Sequence, residues 1–145
     1  MSLTLPLEGI SGSEKVIAAL GYWPKFHDAE VILFSAARAS PFKTGDTVGH
    51  LNLNVREYIP VGEGTAQYEQ VCSKNLLIRL VFHEIRDVEI SGFNHQNVID
   101  SITFSRTQIN DRTNIVVEIE PIFGLGGLFC CSSVAVEVDD LLKNI

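Results

Sequence analysis

Basic residues are scarce in this sequence. Its 145 residues include 11 Lys and Arg against 18 Asp and Glu, a formal net charge of −7 that is divided almost equally between the two halves. Binding of nucleic acid without sequence preference depends on Lys and Arg that neutralise phosphates. We therefore predict no nucleic-acid ligand. A basic protein partner is compatible with this charge, because opposite net charge speeds encounter.

Long apolar runs are also missing. The longest ones, such as the run around Leu80 to Phe82, have the length of a strand and fall short of the roughly eighteen residues that cross a bilayer. The first residues, Met1 to Glu8, lack the basic start and apolar stretch of a secretory signal. We expect no membrane association and a cytoplasmic location. With 46% apolar residues, the chain should form a single domain over residues 1–145.

Cysteine is rare, and its count of three is odd. Cys130 and Cys131 are adjacent, so in a strand their side chains would point to opposite faces. A disulfide framework is therefore not expected, and we predict reduced thiols.

The motifs of common enzyme classes are absent. The sequence contains neither the Gly-x-Ser-x-Gly elbow of hydrolases nor the His-Glu-x-x-His pair of zinc enzymes. No cysteine lies in a segment that offers an activating base. We predict no catalytic residue, no metal and no cofactor.

One helix is indicated near the N-terminus. Ser11 and Glu14 have the spacing of a capping box, and Val16, Ile17 and Leu20 are predicted to lie on one apolar helical face. Gly21 stands where a left-handed residue ends a helix, and Pro24 prevents continuation.

The rest of the chain alternates apolar and polar residues with a period of two. Glu30 to Arg38 has apolar residues on both faces near its start, which predicts a central strand covered on both sides. The last strand is expected to be long, with one face formed by Leu128, Cys130, Val134, Val136 and Val138. About seven strands and one N-terminal helix predict a mainly β (α+β) fold, an antiparallel β-sandwich or a partly open barrel.

A first polar and aromatic cluster follows the helix, with the residues Trp23, Pro24, Lys25, Phe26, His27, Asp28, Ala29 and Glu30. In an extended segment Asp28 and Glu30 would face one side and His27 the other, so a metal site would require the chain to bend. The structural interpretation is that Trp23 and Phe26 close the end of the core. Asp28 would then accept hydrogen bonds from loop N–H groups or pair with His27.

Two further clusters lie in turn-rich segments. The second comprises Ser91, Gly92, Phe93, Asn94, His95, Gln96 and Asn97, and it is interpreted as a structural corner or an exposed recognition loop. The third, Gly124, Leu125, Gly126 and Gly127, predicts a hairpin turn with positive φ, because a strand rather than a helix follows. We hypothesise that the first two clusters lie close together and hydrogen-bond across one end of the sheet.

The order of these clusters resembles the immunity protein 50 family, predicted antidotes of bacterial polymorphic-toxin systems. The resemblance extends from about Tyr22 to Val138. Its most specific parts are the Phe-His-Asp-x-Glu segment beginning at Phe26 and the Gly-Phe-Asn-x-Gln-Asn segment beginning at Gly92.

This resemblance implies a non-catalytic protein that binds and neutralises a cognate toxin domain. The candidate binding residues are His27, Asp28, Glu30, Asn94, His95, Gln96 and Asn97. The residues expected to maintain the fold are Trp23, Phe26, Gly92, Phe93, Gly124, Gly126 and Gly127. Toxin specificity would lie in loops such as Pro60 to Gln70 or Asn110 to Asn114.

Two other functions stay open from the sequence, as does a purely structural or scaffolding role in which all three clusters are satisfied turns. A small-molecule-binding β-barrel would contain a deep apolar cavity with few polar groups at its mouth. A metal-dependent hydrolase would place His27, Asp28 and Glu30 around one point with an open coordination position.

Overall fold

The computed structural model describes residues 3–109 and 112–143, and 62% of the chain is β-strand. This confirms the predicted mainly β class. The described residues form ten strands, one α-helix and one short 3-10 helix: β1 Leu3–Thr4, the 3-10 helix Leu7–Gly9, β2 Ile10–Ser11, α1 Ser13–Leu20, β3 Glu30–Arg38, β4 Thr47–Val61, β5 Glu69–His83, β6 Arg86–Ser91, β7 Val98–Ile109, β8 Arg112–Phe123, β9 Gly126–Cys131 and β10 Ser133–Asp140.

All ten strands of the described residues belong to one sheet. Nine of them follow the order β2-β10-β5-β4-β3-β7-β8-β9-β6, and β1 pairs with β7. Only β2 and β10 run parallel; the other neighbours are antiparallel. The centre of the sheet is weakly joined, since β3 and β7 share the single pair Glu30 and Val98. We call β2, β10, β5, β4 and β3 the first half-sheet and β7, β8, β9 and β6 the second half-sheet.

The two half-sheets pack against each other through aromatic side chains. The ring of Phe129 in β9 lies 4.7 Å from that of Phe82 in β5 and 5.7 Å from that of Phe34 in β3, between ring centroids. The buried apolar residues of both half-sheets form one continuous cluster. This arrangement is consistent with the predicted sandwich or partly open barrel.

The single long C-terminal strand predicted from the sequence is wrong. The chain breaks at Ser132 into β9 and β10, which belong to different half-sheets. Phe129 and Cys131 therefore point into the core, whereas Leu128 is exposed and Cys130 is half-buried. The alternation changes phase where the chain passes from one half-sheet to the other, so residues on either side of Ser132 do not share a face.

The prediction that β3 is covered on both faces is also wrong, although the predicted bounds of the strand are confirmed. The pairing of β3 with β4 shifts between Val31 and Leu33, and this β-bulge resets the alternation. As a result Val31 is buried, while the adjacent Ile32 and Leu33 are exposed.

The predicted helix is present, but its N-cap differs from the prediction. Ser11 lies in β2 and the N-cap is Gly12, which forms no side-chain cap. Val16 and Leu20 join the core as predicted, but Ile17 was wrongly placed on the same face and is exposed. The N–H of Gly21 donates to the carbonyl of Ile17 at 2.7 Å.

The three cysteines are unpaired, and the adjacent Cys130 and Cys131 point to opposite faces, as predicted. Burial raises the pKa of the Cys131 thiol to about 12. The neutral thiol is therefore the form that packs in the core at physiological pH.

Phe129 provides a direct test of the packing between the half-sheets. Phe129→Ala removes a fully buried ring that contacts both of them, and we expect a loss of about 3–5 kcal/mol in the free energy of unfolding. Urea denaturation measures this loss. The matched control Phe42→Ala truncates an almost fully exposed ring and should change stability by less than about 0.5 kcal/mol. Equal effects of the two substitutions would contradict the packing described.

Candidate functional site

The candidate site is built on the contact between β3 and β7, which we call the seam. Three backbone hydrogen bonds cross it beside the Glu30–Val98 pair: Asp28 N–H to Ile99 O at 2.9 Å, Ile99 N–H to Ala29 O at 3.0 Å and Val31 N–H to Asn97 O at 2.7 Å. The first and second polar clusters therefore lie side by side. The hypothesis that the two clusters are close is confirmed. The hydrogen bonds between them are not found among the described residues, because each of these three bonds has one partner just outside a cluster, either Val31 or Ile99.

The chain bends sharply just before the seam. Phe26 and Asp28 both have φ of 67°, in the left-handed region that non-glycine residues rarely adopt. Phe26 is buried and its ring meets Trp23 edge-on, with centroids 5.6 Å apart. Trp23 also contacts Phe104 of β7 at 6.3 Å. These contacts confirm that Trp23 and Phe26 close this end of the core.

Asn97 is the polar centre of the seam and is only 2% exposed. Its side-chain oxygen accepts hydrogen bonds from the backbone N–H of Asn94 at 2.8 Å and of Leu125 at 3.0 Å, and its amide nitrogen donates to Asn94 O at 2.8 Å. The side chain thus replaces backbone partners in two turns. Its polar atoms are directed into the protein and are not presented to a partner.

The glycine turn packs directly on this amide. A Cβ placed on Gly124 would lie 2.6 Å from the side-chain oxygen of Asn97 and 2.7 Å from the carbonyl oxygen of Gln96. A Cβ on Gly92 would lie 2.6 Å from Gly124 O. Gly92 and Gly124 both have positive φ. Gly124 lies between the antiparallel strands β8 and β9, which confirms the predicted hairpin turn with positive φ. The turn depends on the absence of a side chain at Gly124.

The imidazole of His27 lies between two carboxylates at the surface. Its Nδ1 is 3.0 Å from Asp100 Oδ1 and its Nε2 is 3.6 Å from Asp28 Oδ2. The side chains of His27 and Asp28 are 61% and 71% exposed. The expectation that Asp28 accepts hydrogen bonds from loop N–H groups is therefore wrong, because the bend directs its carboxylate outward; the alternative pairing with His27 is the one found.

A cleft opens beside these residues on the outer face of the first half-sheet. It has a volume of about 240 Å³ and is lined by Asp28, Glu30, Asn54, Arg56 and Tyr58. Pairing of β3 with β4 places Glu30 directly opposite Asn54. The alternation along β4 places Asn54 and Arg56 on the outer face. That Asn54 lies opposite Glu30 depends on the register of β3 against β4, which the sequence pattern does not reveal.

A second cleft, of about 410 Å³, adjoins the first through Arg56 and includes Tyr22, Trp23, His27 and Glu57. The hydroxyl of Tyr22 donates to Glu57 Oε1 at 3.1 Å. Partial burial raises the pKa of Tyr22, and this hydrogen bond raises it further. Tyr22 is therefore a neutral donor fixed at the edge of the site.

The geometry does not favour the two alternative functions. Within residues 3–109 and 112–143, no three His, Cys, Asp or Glu side chains are arranged to hold a metal ion. Asp28 approaches His27 and also lines the cleft with Glu30, but His27 is not part of the lining of that cleft. Phe82 and Phe129 are buried in the interior and pack edge-on, with ring centroids 4.7 Å apart.

The remaining predicted residues divide by exposure. Asn94, His95 and Gln96 are exposed, next to the buried Asn97. Phe93 was expected to maintain the fold, but it is 60% exposed because the loop turns outward after Gly92.

Comparison of the sequence with models of known protein families gives a match. The family model described as Immunity protein 50 matches residues 12–139, which include α1, all three clusters and most of the sheet. The chain belongs to the Immunity protein 50 family. Comparisons with curated proteins and with solved structures gave no match. In the described part of this Immunity protein 50 chain, no helix has the length and apolar character needed to cross a membrane.

Asn97 generates a test of the seam in this Immunity protein 50 chain. Asn97→Ala leaves the buried N–H of Leu125 and the backbone groups of Asn94 without their side-chain partner. We expect a loss of about 2–4 kcal/mol in the free energy of unfolding, since each unsatisfied buried group costs roughly 1–3 kcal/mol. The control is Gln96→Ala, which removes an exposed neighbour. A loss no larger than that of the control, measured by urea denaturation, would mean that the amide does not hold the turns.

Asp28 tests the cause of the bend. Because its carboxylate is exposed, only the positive φ limits substitution. Asp28→Gly should change the unfolding free energy by less than about 0.5 kcal/mol, and Asp28→Ala should lower it by about 0.5–1 kcal/mol. Thermal and urea unfolding compare the two variants. If glycine proves the more damaging substitution, the positive φ does not limit this position; equal losses of more than about 1 kcal/mol in both variants would mean that the carboxylate supports the fold.

Proposed function

We propose that this chain binds a cognate toxin domain and blocks it without catalysing a reaction. The observation that carries this proposal is the match to the Immunity protein 50 model over residues 12–139. The acidic charge of the chain adds to it, because a net charge of −7 would steer the protein toward a basic toxin.

The candidate binding residues that reach the surface are the proposed contact residues. His27, Asp28, Asn94, His95 and Gln96 are exposed and Glu30 is half-buried, and backbone hydrogen bonds hold the framework around them in place. A rigid scaffold of this kind reduces the entropy that binding costs. Asn97 is assigned to the framework, since its side-chain atoms are already hydrogen-bonded within the chain.

Specificity among toxins is proposed to lie in the loop between β4 and β5. Residues 62–68 connect these strands and are exposed. The other loop suggested by the sequence, Asn110 to Asn114, falls partly outside the described residues, because positions 110 and 111 are not described and β8 begins at Arg112.

The proposal is tested by expressing a candidate toxin domain from a neighbouring gene with and without the chain. We expect growth to be restored and the two proteins to purify together. Protection should increase until this chain and the toxin domain are present in equal molar amounts. A binding antidote acts stoichiometrically, whereas an enzyme would protect at a small fraction of an equivalent. No rescue, or rescue far below one equivalent, would contradict the proposal.

Site variants extend the same test. The double substitution His27→Ala with Gln96→Ala removes exposed side chains around the seam and should weaken the complex by roughly tenfold or more. The matched control is Thr103→Ala with Glu118→Ala, two exposed residues paired across β7 and β8. Equal loss in both variants, or none in either, would place the contact surface elsewhere.

A further inference from the structure

The cleft lined by Asp28, Glu30, Asn54, Arg56 and Tyr58 presents oxygen atoms to solvent. Asp28 projects from the bend before β3, and Glu30 follows at the first position of the strand. Directly opposed residues in an antiparallel pair have Cβ atoms about 4.5–5.5 Å apart, which places Glu30 beside Asn54. Two carboxylates and one amide therefore meet in a space of about 240 Å³.

The amide of Asn54 is oriented by the interior of the protein. Asn54 is 9% exposed, and its nitrogen donates to Asn75 Oδ1 at 2.7 Å and to Leu76 O at 3.0 Å. A backbone carbonyl only accepts, so the group that faces Leu76 must be the NH₂. Within the described residues the Asn54 oxygen accepts no hydrogen bond, and no fully enclosed side-chain N or O atom lacks a partner. This oxygen therefore reaches solvent at the cleft.

The charges of the cleft favour a cationic occupant. Asp28 and Glu30 contribute two negative charges, and Arg56 contributes one positive charge. Among the described residues the ion pairs within 4.0 Å do not include Arg56 or Glu30, and Asp28 pairs only with His27. Glu30 therefore has no ion-pair partner within 4.0 Å in the described chain, and the partner of Asp28 there is the imidazole of His27.

The aromatic wall favours a guanidinium over an ammonium group. Tyr58 is exposed and lines the cleft. A planar guanidinium stacks on an aromatic face and donates two parallel hydrogen bonds to a carboxylate, which a compact ammonium group cannot do.

We propose that this cleft receives the guanidinium group of an arginine side chain on the toxin partner. Asp28 and Glu30 accept charged hydrogen bonds from the guanidinium, and the side-chain oxygen of Asn54 accepts a further hydrogen bond from it. The ring of Tyr58 stacks on the guanidinium plane. Arg56 opposes entry by like-charge repulsion. The identity of the partner rests on the proposed function, but the chemistry of the cleft does not.

Titration with a small probe tests the cleft without any toxin. The probe is N-acetyl-arginine methylamide, and the neutral control is the isosteric N-acetyl-citrulline methylamide. We expect saturable shifts of the Asn54 side-chain NH₂ signals in ¹H–¹⁵N spectra with arginine, at a dissociation constant on the order of millimolar. The lysine analogue should bind more weakly. Absent shifts, or equal shifts with citrulline, would overturn the proposal.

Substitutions in the cleft should act in opposite directions. Asp28→Asn, which tolerates the positive φ, and Glu30→Gln should each weaken arginine binding by roughly two- to fivefold. Arg56→Gln should tighten it by a similar factor. The control Glu118→Gln with Glu120→Gln removes two charges from exposed positions of β8 and should leave affinity unchanged. An equal loss in that control would mean general charge attraction and would sink the assignment.

The toxin complex separates the two proposals. If the chain neutralises the toxin but Asp28→Asn with Glu30→Gln changes the affinity no more than the β8 control, the proposed function stands and the arginine cleft is wrong. If arginine binds as expected but no toxin is neutralised, the cleft stands and the proposed function is wrong. Unchanged backbone spectra of each variant show that its fold is retained.

Discussion

The hydrogen bonds across the seam between β3 and β7 are the constraint on which the rest of this structure depends. The half-sheets share one paired position there, so a few neighbouring backbone bonds must hold them in register. Asn97 lies at the centre: its carbonyl accepts from Val31, and its side chain holds Asn94 and Leu125. One residue thereby ties the first half-sheet to two turns of the second.

The same constraint explains why neighbouring residues of one motif differ in role. The chain must bury Phe26 under Trp23 and, two residues later, direct the N–H of Asp28 to Ile99 O. It does so through two left-handed residues, a strained conformation that persists where surrounding contacts fix it. The bend leaves the carboxylate of Asp28 in solvent. The family motif therefore combines fold-maintaining residues with exposed polar ones.

Much of the sheet could be predicted from local patterns, but not the points where partners change. Period-two alternation predicted the mainly β class and β3 with its observed bounds. It could not reveal the bulge at Ile32 or the break at Ser132, because both depend on the partner strand. The polar motifs were visible in the sequence, whereas the cleft was not, because strand register brings Asn54 and Tyr58 close to Glu30. Composition alone also cannot distinguish the buried Asn97 from the exposed Asn94.

Native-state hydrogen exchange tests the central role of the seam most directly. If these bonds hold the half-sheets together, the amides of Asp28, Val31 and Ile99 should exchange only through global unfolding, with opening free energies equal to that of the whole domain. The amides of the exposed loop residues Glu63 and Gly64 should exchange rapidly in the same sample. Exchange of the seam amides at rates close to those of this loop would show that the half-sheets are held together elsewhere, and would contradict the account.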